Sequence, residues 1–121
     1  MKFMITFAHV DGEWDKLTPS QREELGSFHK EFQSSLEARG SEMIFLDPKA
    51  KTVRRYADGR FEVADEPYRP ASTTGPQGPE SAGGYFIIEA DSMEEAVEWA
   101  KRGRWMVGAN EVRQIHENVR F

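Results

Sequence analysis

His29 is the residue of this chain best suited to move a proton. Imidazole titrates near neutral pH and fits a general base that removes a proton next to a carbonyl. At 100° per residue, Leu25, Phe28, Phe32 and Leu36 form one apolar stripe, and His29 falls inside it. Two readings stand for it. One is a base facing a ligand; the other is a neutral histidine at a helix–sheet boundary, hydrogen-bonded to backbone or water. Asp65 and Glu66 sit in the stretch "VADEPYRP". They could orient a base, hold a cation or accept a proton, and they could equally be solvated turn residues. Pro67 restrains Glu66 to an extended backbone. Asp65 is the candidate partner of His29, while Glu66, Tyr68 and His9 are candidate ligand-binding residues. For Tyr68, an aromatic with a polar tip, capping the core competes with stacking on a ligand. His9 shares a strand face with Phe3, Ile5 and Phe7. A place in a cleft competes there with the preferred reading, a surface histidine at a strand end. His116 is expected to be exposed.

No metal and no cofactor is expected. The three histidines are far apart, none stands in an H-x3-H or H-E-x-x-H arrangement, and there is no cysteine. "GPQGPESAGG" is rich in glycine but lacks the lysine of a phosphate loop.

These residues need elements to position them. "FMITFAHV" is a strand with two largely apolar faces, both expected to be covered. "LTPSQREELGSFHKEFQSSLEARG" is a helix. Thr18 is its N-cap, Pro19 its first residue and Gln21 the third member of a capping box, with Gly40 as the stop. Three short strands follow, Glu42–Leu46, Thr52–Tyr56 and Arg60–Val63, the last two joined by an Asp58-Gly59 turn. "EPYRPASTTGPQGPESAGG" reads as a long loop, and "YFIIEA" as a strand apolar on both sides. "DSMEEAVEWAKRG" is a helix with a Ser92–Glu95 capping box. Its expected buried face is Met93, Ala96, Val97 and Ala100, with Trp99 off the stripe. Core or dimer packing is expected for Trp99, Trp105 and Met106. "ANEVRQIHE" is the last strand.

The order is βαββαβ with an added hairpin, an α+β, ferredoxin-like pattern with an antiparallel sheet and two helices on one face. The helices leave the second sheet face uncovered. Packing that face on the sheet of a twin chain is the economical solution, so a homodimer with a cleft bounded by sheet and loops is expected.

The chain has 121 residues, enough for one domain, and only 38% of them are apolar. A net charge of −5 argues against a nucleic-acid or anionic-membrane binder, which needs a basic field. "MKFMITFAHV" is too short to span a membrane and lacks the apolar region of a signal peptide, so a cytoplasmic protein is expected.

"GGYFIIEADSMEEAVEWA" (Gly83–Ala100) and "NEVRQI" (Asn110–Ile115) carry a family likeness. The chain resembles the YCII-related proteins, in particular their DGPF-type branch. These combine "GGYYLI", an acid-rich D-S-x-x-E-A helix with a tryptophan, and a V-E-V-R strand. "ADEPY" (Ala64–Tyr68) stands where the branch carries D-G-P-F, with Glu66 for its glycine and Tyr68 for its phenylalanine. The loop before Gly83 is also longer. The resemblance covers nearly the whole chain and implies a dimeric α+β barrel. Relatives of that architecture include muconolactone isomerases and small monooxygenases. Some DGPF-type proteins are associated with extracytoplasmic-function sigma factors. Other YCII proteins carry a helix histidine eleven residues before a terminal glycine, a spacing that His29 and Gly40 keep. There it is proposed to act with an acid; DGPF-type members often lack it.

The reading is a small-molecule-binding homodimer. If it is an enzyme, cofactor-free acid–base chemistry such as isomerisation or elimination fits it. The alternative is a non-catalytic binding or regulatory module in which His29 is structural.

Overall fold

The first strand, β1 (Lys2–Val10), alternates between buried and half-buried residues along its length. The computed structural model describes residues 1–43, 50–68, 74–75, 78–102 and 107–117. A four-residue helix, α1 (Glu13–Lys16), follows β1 and precedes α2 (Pro19–Gln33). Next come β2 (Ala38–Met43), β3 (Thr52–Arg55), β4 (Phe61–Ala64), β5 (Thr74–Gly75) and β6 (Gly78–Glu89). The chain closes with α3 (Met93–Arg102) and β7 (Gly108–Gln114).

The main sheet runs β2-β6-β1-β7, with every neighbouring pair antiparallel. This is the split βαβ order: α2 links β1 to β2 across β6, and α3 links β6 to β7 across β1. The expected α+β, ferredoxin-like architecture is therefore present, and β3 and β4 form the added hairpin as a separate two-stranded sheet. Gly59, at φ 89°, supplies the left-handed residue of the hairpin turn.

The core lies between sheet and helices. Phe3, Ile5 and Phe7 of β1 and Phe86 and Ile88 of β6 meet Phe32 of α2 and Ala96, Trp99 and Ala100 of α3. Phe32 stands edge-on to both Phe86, at 4.6 Å, and Trp99, at 5.7 Å. On the other sheet face Met4, Thr6 and Ala8 are half-buried, as are their neighbours Tyr85 and Ile87.

Several expectations are corrected. Helix α2 stops at Gln33, not at Gly40. The Ser34 and Ser35 hydroxyls bond back to the carbonyls of Lys30 and Phe32, and the chain then enters β2. Gly40 lies within β2, where it pairs with Ile87. Leu36 consequently leaves the stripe and is 90% exposed. β6 begins at Gly78, so "GPESAGG" is strand rather than loop. Pairing of Glu80, Ser81 and Ala82 with Val10, His9 and Ala8 outweighs its weak local preference. Trp99 is buried, one helical turn from Ala96, whereas Met93 is 41% exposed. The part of the second expected strand beyond Met43, and Trp105 and Met106, lie outside the described residues.

The N-caps follow the sequence. Thr18 and Gln21 form the reciprocal capping box of α2. At α3 the Ser92 hydroxyl accepts from the Glu95 backbone N–H, while the Glu95 carboxylate reaches back to Asp91.

Candidate functional site

Helix α2 turns His29 toward the sheet, where its ring meets the edge of Phe86 at 5.4 Å. Nε2 lies 3.1 Å from the Gln33 amide nitrogen, one helical turn on, and 3.5 Å from the Ser41 hydroxyl of β2. With Gln33 donating, Nε2 is the acceptor and the ring proton sits on Nδ1. Nδ1 is buried and has no hydrogen-bond partner. An imidazole held between a helix and a strand, with one nitrogen unsatisfied, is a place where an acceptor atom of a ligand or a water gains a hydrogen bond. Leaving such a buried group bare costs roughly 1–3 kcal/mol.

Asp65 does not join this site. It pairs instead with the Lys51 ammonium at the base of the β3–β4 hairpin. Glu66 is exposed and takes part through its backbone, whose carbonyl accepts from the Thr52 hydroxyl at 2.7 Å. Tyr68 is 59% exposed, with the Arg54 guanidinium 5.8 Å from its ring centre. Among the described residues no carboxylate is hydrogen-bonded to either ring nitrogen of His29; its polar neighbours are an amide and a hydroxyl. Gln33 was legible as the residue four positions after His29. Ser41 arrives by way of β2 and had no local signal.

His9 corrects the surface reading. It is only 4% exposed, and at the end of β1 it lies in register between Ser81 of β6 and Gly108 of β7. Nδ1 lies 3.0 Å from the Ser81 carbonyl oxygen, and the Ser81 hydroxyl donates to Asp11 at 2.6 Å. Burial holds the His9 imidazole below its ordinary pKa, against the opposing pull of Asp11, Glu13 and Glu80. Gly108 is needed at this point, because a Cβ there would lie 1.9 Å from the Ala8 carbonyl oxygen. His116 is exposed, as expected.

An open hollow of about 500 Å3 lies between α3 and β7, lined by Met93, Val97, Ala100, Lys101, Asn110 and Val112. It is apart from His29. Among the described residues no three metal-ligating side chains cluster, and no helix is long and apolar enough to cross a membrane.

Compared with known proteins, no family model matches the chain, and no curated protein matches it.

Proposed function

We propose that this chain is a YCII-related protein of the DGPF-type branch. In this reading it acts as a homodimer and binds a small carbonyl-bearing organic molecule at the seam of α2 and β2, where His29 contacts it. The observation that carries the reading is the buried, unpartnered Nδ1 of His29, set beside Ser41 and Gln33 at a helix–sheet junction. The half-buried second face of the sheet supports pairing with a twin chain. In this tautomer His29 offers its Nδ1–H to the carbonyl oxygen of the ligand, so its part in acid–base chemistry would be to polarise that carbonyl, and removal of the neighbouring proton would fall to solvent base. Asp65 is engaged with Lys51 and has no part in it.

The test uses chain carrying isotope-labelled histidine, titrated with small keto acids and followed by NMR. Binding at the site moves the His29 ring signals and leaves those of His116 in place. His29→Gln weakens binding at least about tenfold. A panel that leaves the His29 ring unmoved overturns the site.

The second reading is a non-catalytic binding or regulatory module. It is favoured by the lack of a carboxylate bonded to His29 among the described residues. Deuterium exchange next to the carbonyl of a bound keto acid separates the two. Exchange that depends on His29 supports catalysis; binding without exchange supports the module.

A further inference from the structure

We propose that the β3–β4 hairpin is an arm that grips the open sheet face of a second copy of this chain. Its apolar side is Val53, Val63 and Phe61, and its Arg55 pairs with Glu42 of that copy. The inference rests on the homodimer reading and adds the contact that holds it.

The two sides of the hairpin differ in kind. Register places Thr52 with Ala64 and Arg54 with Glu62 on one side. That side is satisfied internally: the Tyr56 hydroxyl donates to Glu62 at 3.0 Å, and the Arg60 guanidinium lies 4.2 Å from the Tyr56 ring centre. The other side pairs Val53 with Val63 and Arg55 with Phe61. There the apolar side chains stand in solvent, Val53 63%, Val63 60% and Phe61 57% exposed. Strands β3 and β4 pair with each other and with no other described strand. A lone two-stranded ribbon is marginal in water, and three adjacent large apolar side chains on one of its faces call for a cover.

Charge selects the cover. Residues 50–66 carry four cations, Lys51, Arg54, Arg55 and Arg60, and four acids, Asp58, Glu62, Asp65 and Glu66. The net charge of −5 therefore belongs to the rest of the chain. On the apolar side of the hairpin, Lys51 is paired with Asp65, whereas among the described residues Arg55 contacts only the Phe61 ring, 5.3 Å away. Glu42 is exposed on the open sheet face, in register with Tyr85, and among the described residues its carboxylate has no cationic partner. Among the described residues, an apolar strip beside an unpaired cation thus has a complement on the same chain: Met4, Ala8 and Ile87 of the open face, with the unpaired Glu42 on its edge strand β2. Two copies exchange the contact reciprocally, as a two-fold interface requires.

Sedimentation of the full chain across nanomolar to micromolar concentrations tests this. The wild type is a dimer. Phe61→Ser and Arg55→Glu each raise its dissociation constant at least about tenfold, because both truncate or repel at a desolvated contact. Glu42→Arg does the same, and Arg55→Glu with Glu42→Arg in one chain restores much of the loss. Both arm residues are exposed and outside the core, and a circular dichroism spectrum identical to wild type checks that each variant folds. A wild-type dimer whose dissociation constant ignores these substitutions overturns the arm and leaves the dimer standing. Single variants that weaken the dimer without rescue by the double reversal overturn the Arg55–Glu42 pairing. A wild type that is a monomer at micromolar concentration overturns both the arm and the homodimer.

Discussion

His9 Nδ1 lies 3.0 Å from the carbonyl oxygen of Ser81, so the neutral imidazole donates to β6 from a position almost closed to solvent. Burial is the main cause of its lowered pKa. As pH falls, the unfolded chain takes up the proton before the folded chain does, and folding then opposes protonation. The contribution of His9 to stability is thus fully present above its ordinary value of 6.5 and is lost as pH falls through the lower folded value. His9→Asn keeps an N–H near the Nδ1 position and removes the titration. Urea unfolding midpoints from about pH 7.5 to about pH 5 should fall more steeply for wild type than for His9→Asn. Parallel profiles would show that the histidine does not titrate against folding.

Gly84 and Gly26 should respond to the same substitution with opposite signs. Gly84, at φ 147°, lies where β6 passes both Phe7 and β2. A Cβ there would sit 2.3 Å from the Glu42 carbonyl oxygen and 2.9 Å from the Phe7 ring. The backbone oxygen cannot swing away, and moving the Phe7 ring disturbs Phe86, 5.8 Å distant. Gly84→Ala should cost toward the upper end of about 1–3 kcal/mol. Gly26 is in the interior of α2 with nothing within 4 Å of its Cβ position. Gly26→Ala should stabilise by about 0.5–1 kcal/mol through the entropy of the unfolded chain. Thermal unfolding of the two variants checks both signs, and a Gly84→Ala midpoint equal to wild type would refute the close approach.

What could be read from the residues alone was mostly what neighbours in sequence decide. The Thr18–Gln21 box, the Ser92 cap and the Asp58-Gly59 turn are local chemistry, and with the alternating strands they gave the order of elements. What escaped was decided by pairing across the chain. His9 stands at the end of β1, and nothing near it in sequence announces that β6 and β7 will continue beside it, at Ser81 and Gly108. The stretch from Gly78 to Gly84 is poor in strand formers and becomes strand because β1 continues beside it. The site divides in the same way. His29 and Gln33 share one helix face, while Ser41 comes to them only through the β2–β6 pairing. Asp65, adjacent to Glu66 and suggestive as text, goes to Lys51 because hairpin register brings those two together.

Phe32 and Leu36 occupy one helical stripe in sequence and two unrelated environments in the fold. Phe32 is 2% exposed and packs edge-on against Phe86 and Trp99. Leu36 follows the end of α2 and is 90% exposed. A helix running on to Gly40 would bury both, and truncating either would then open a cavity. With α2 ending at Gln33, only Phe32→Ala removes core. That substitution should cost about 3–5 kcal/mol, combining lost transfer energy with the cavity left between α2, β6 and α3. Leu36→Ala should stay within about 0.5 kcal/mol of wild type, as exposed substitutions do. Urea unfolding of the two variants side by side gives the answer. Comparable losses would mean that the helix continues past the serines, whereas a large loss for Phe32→Ala alone places the end of α2 at Ser34.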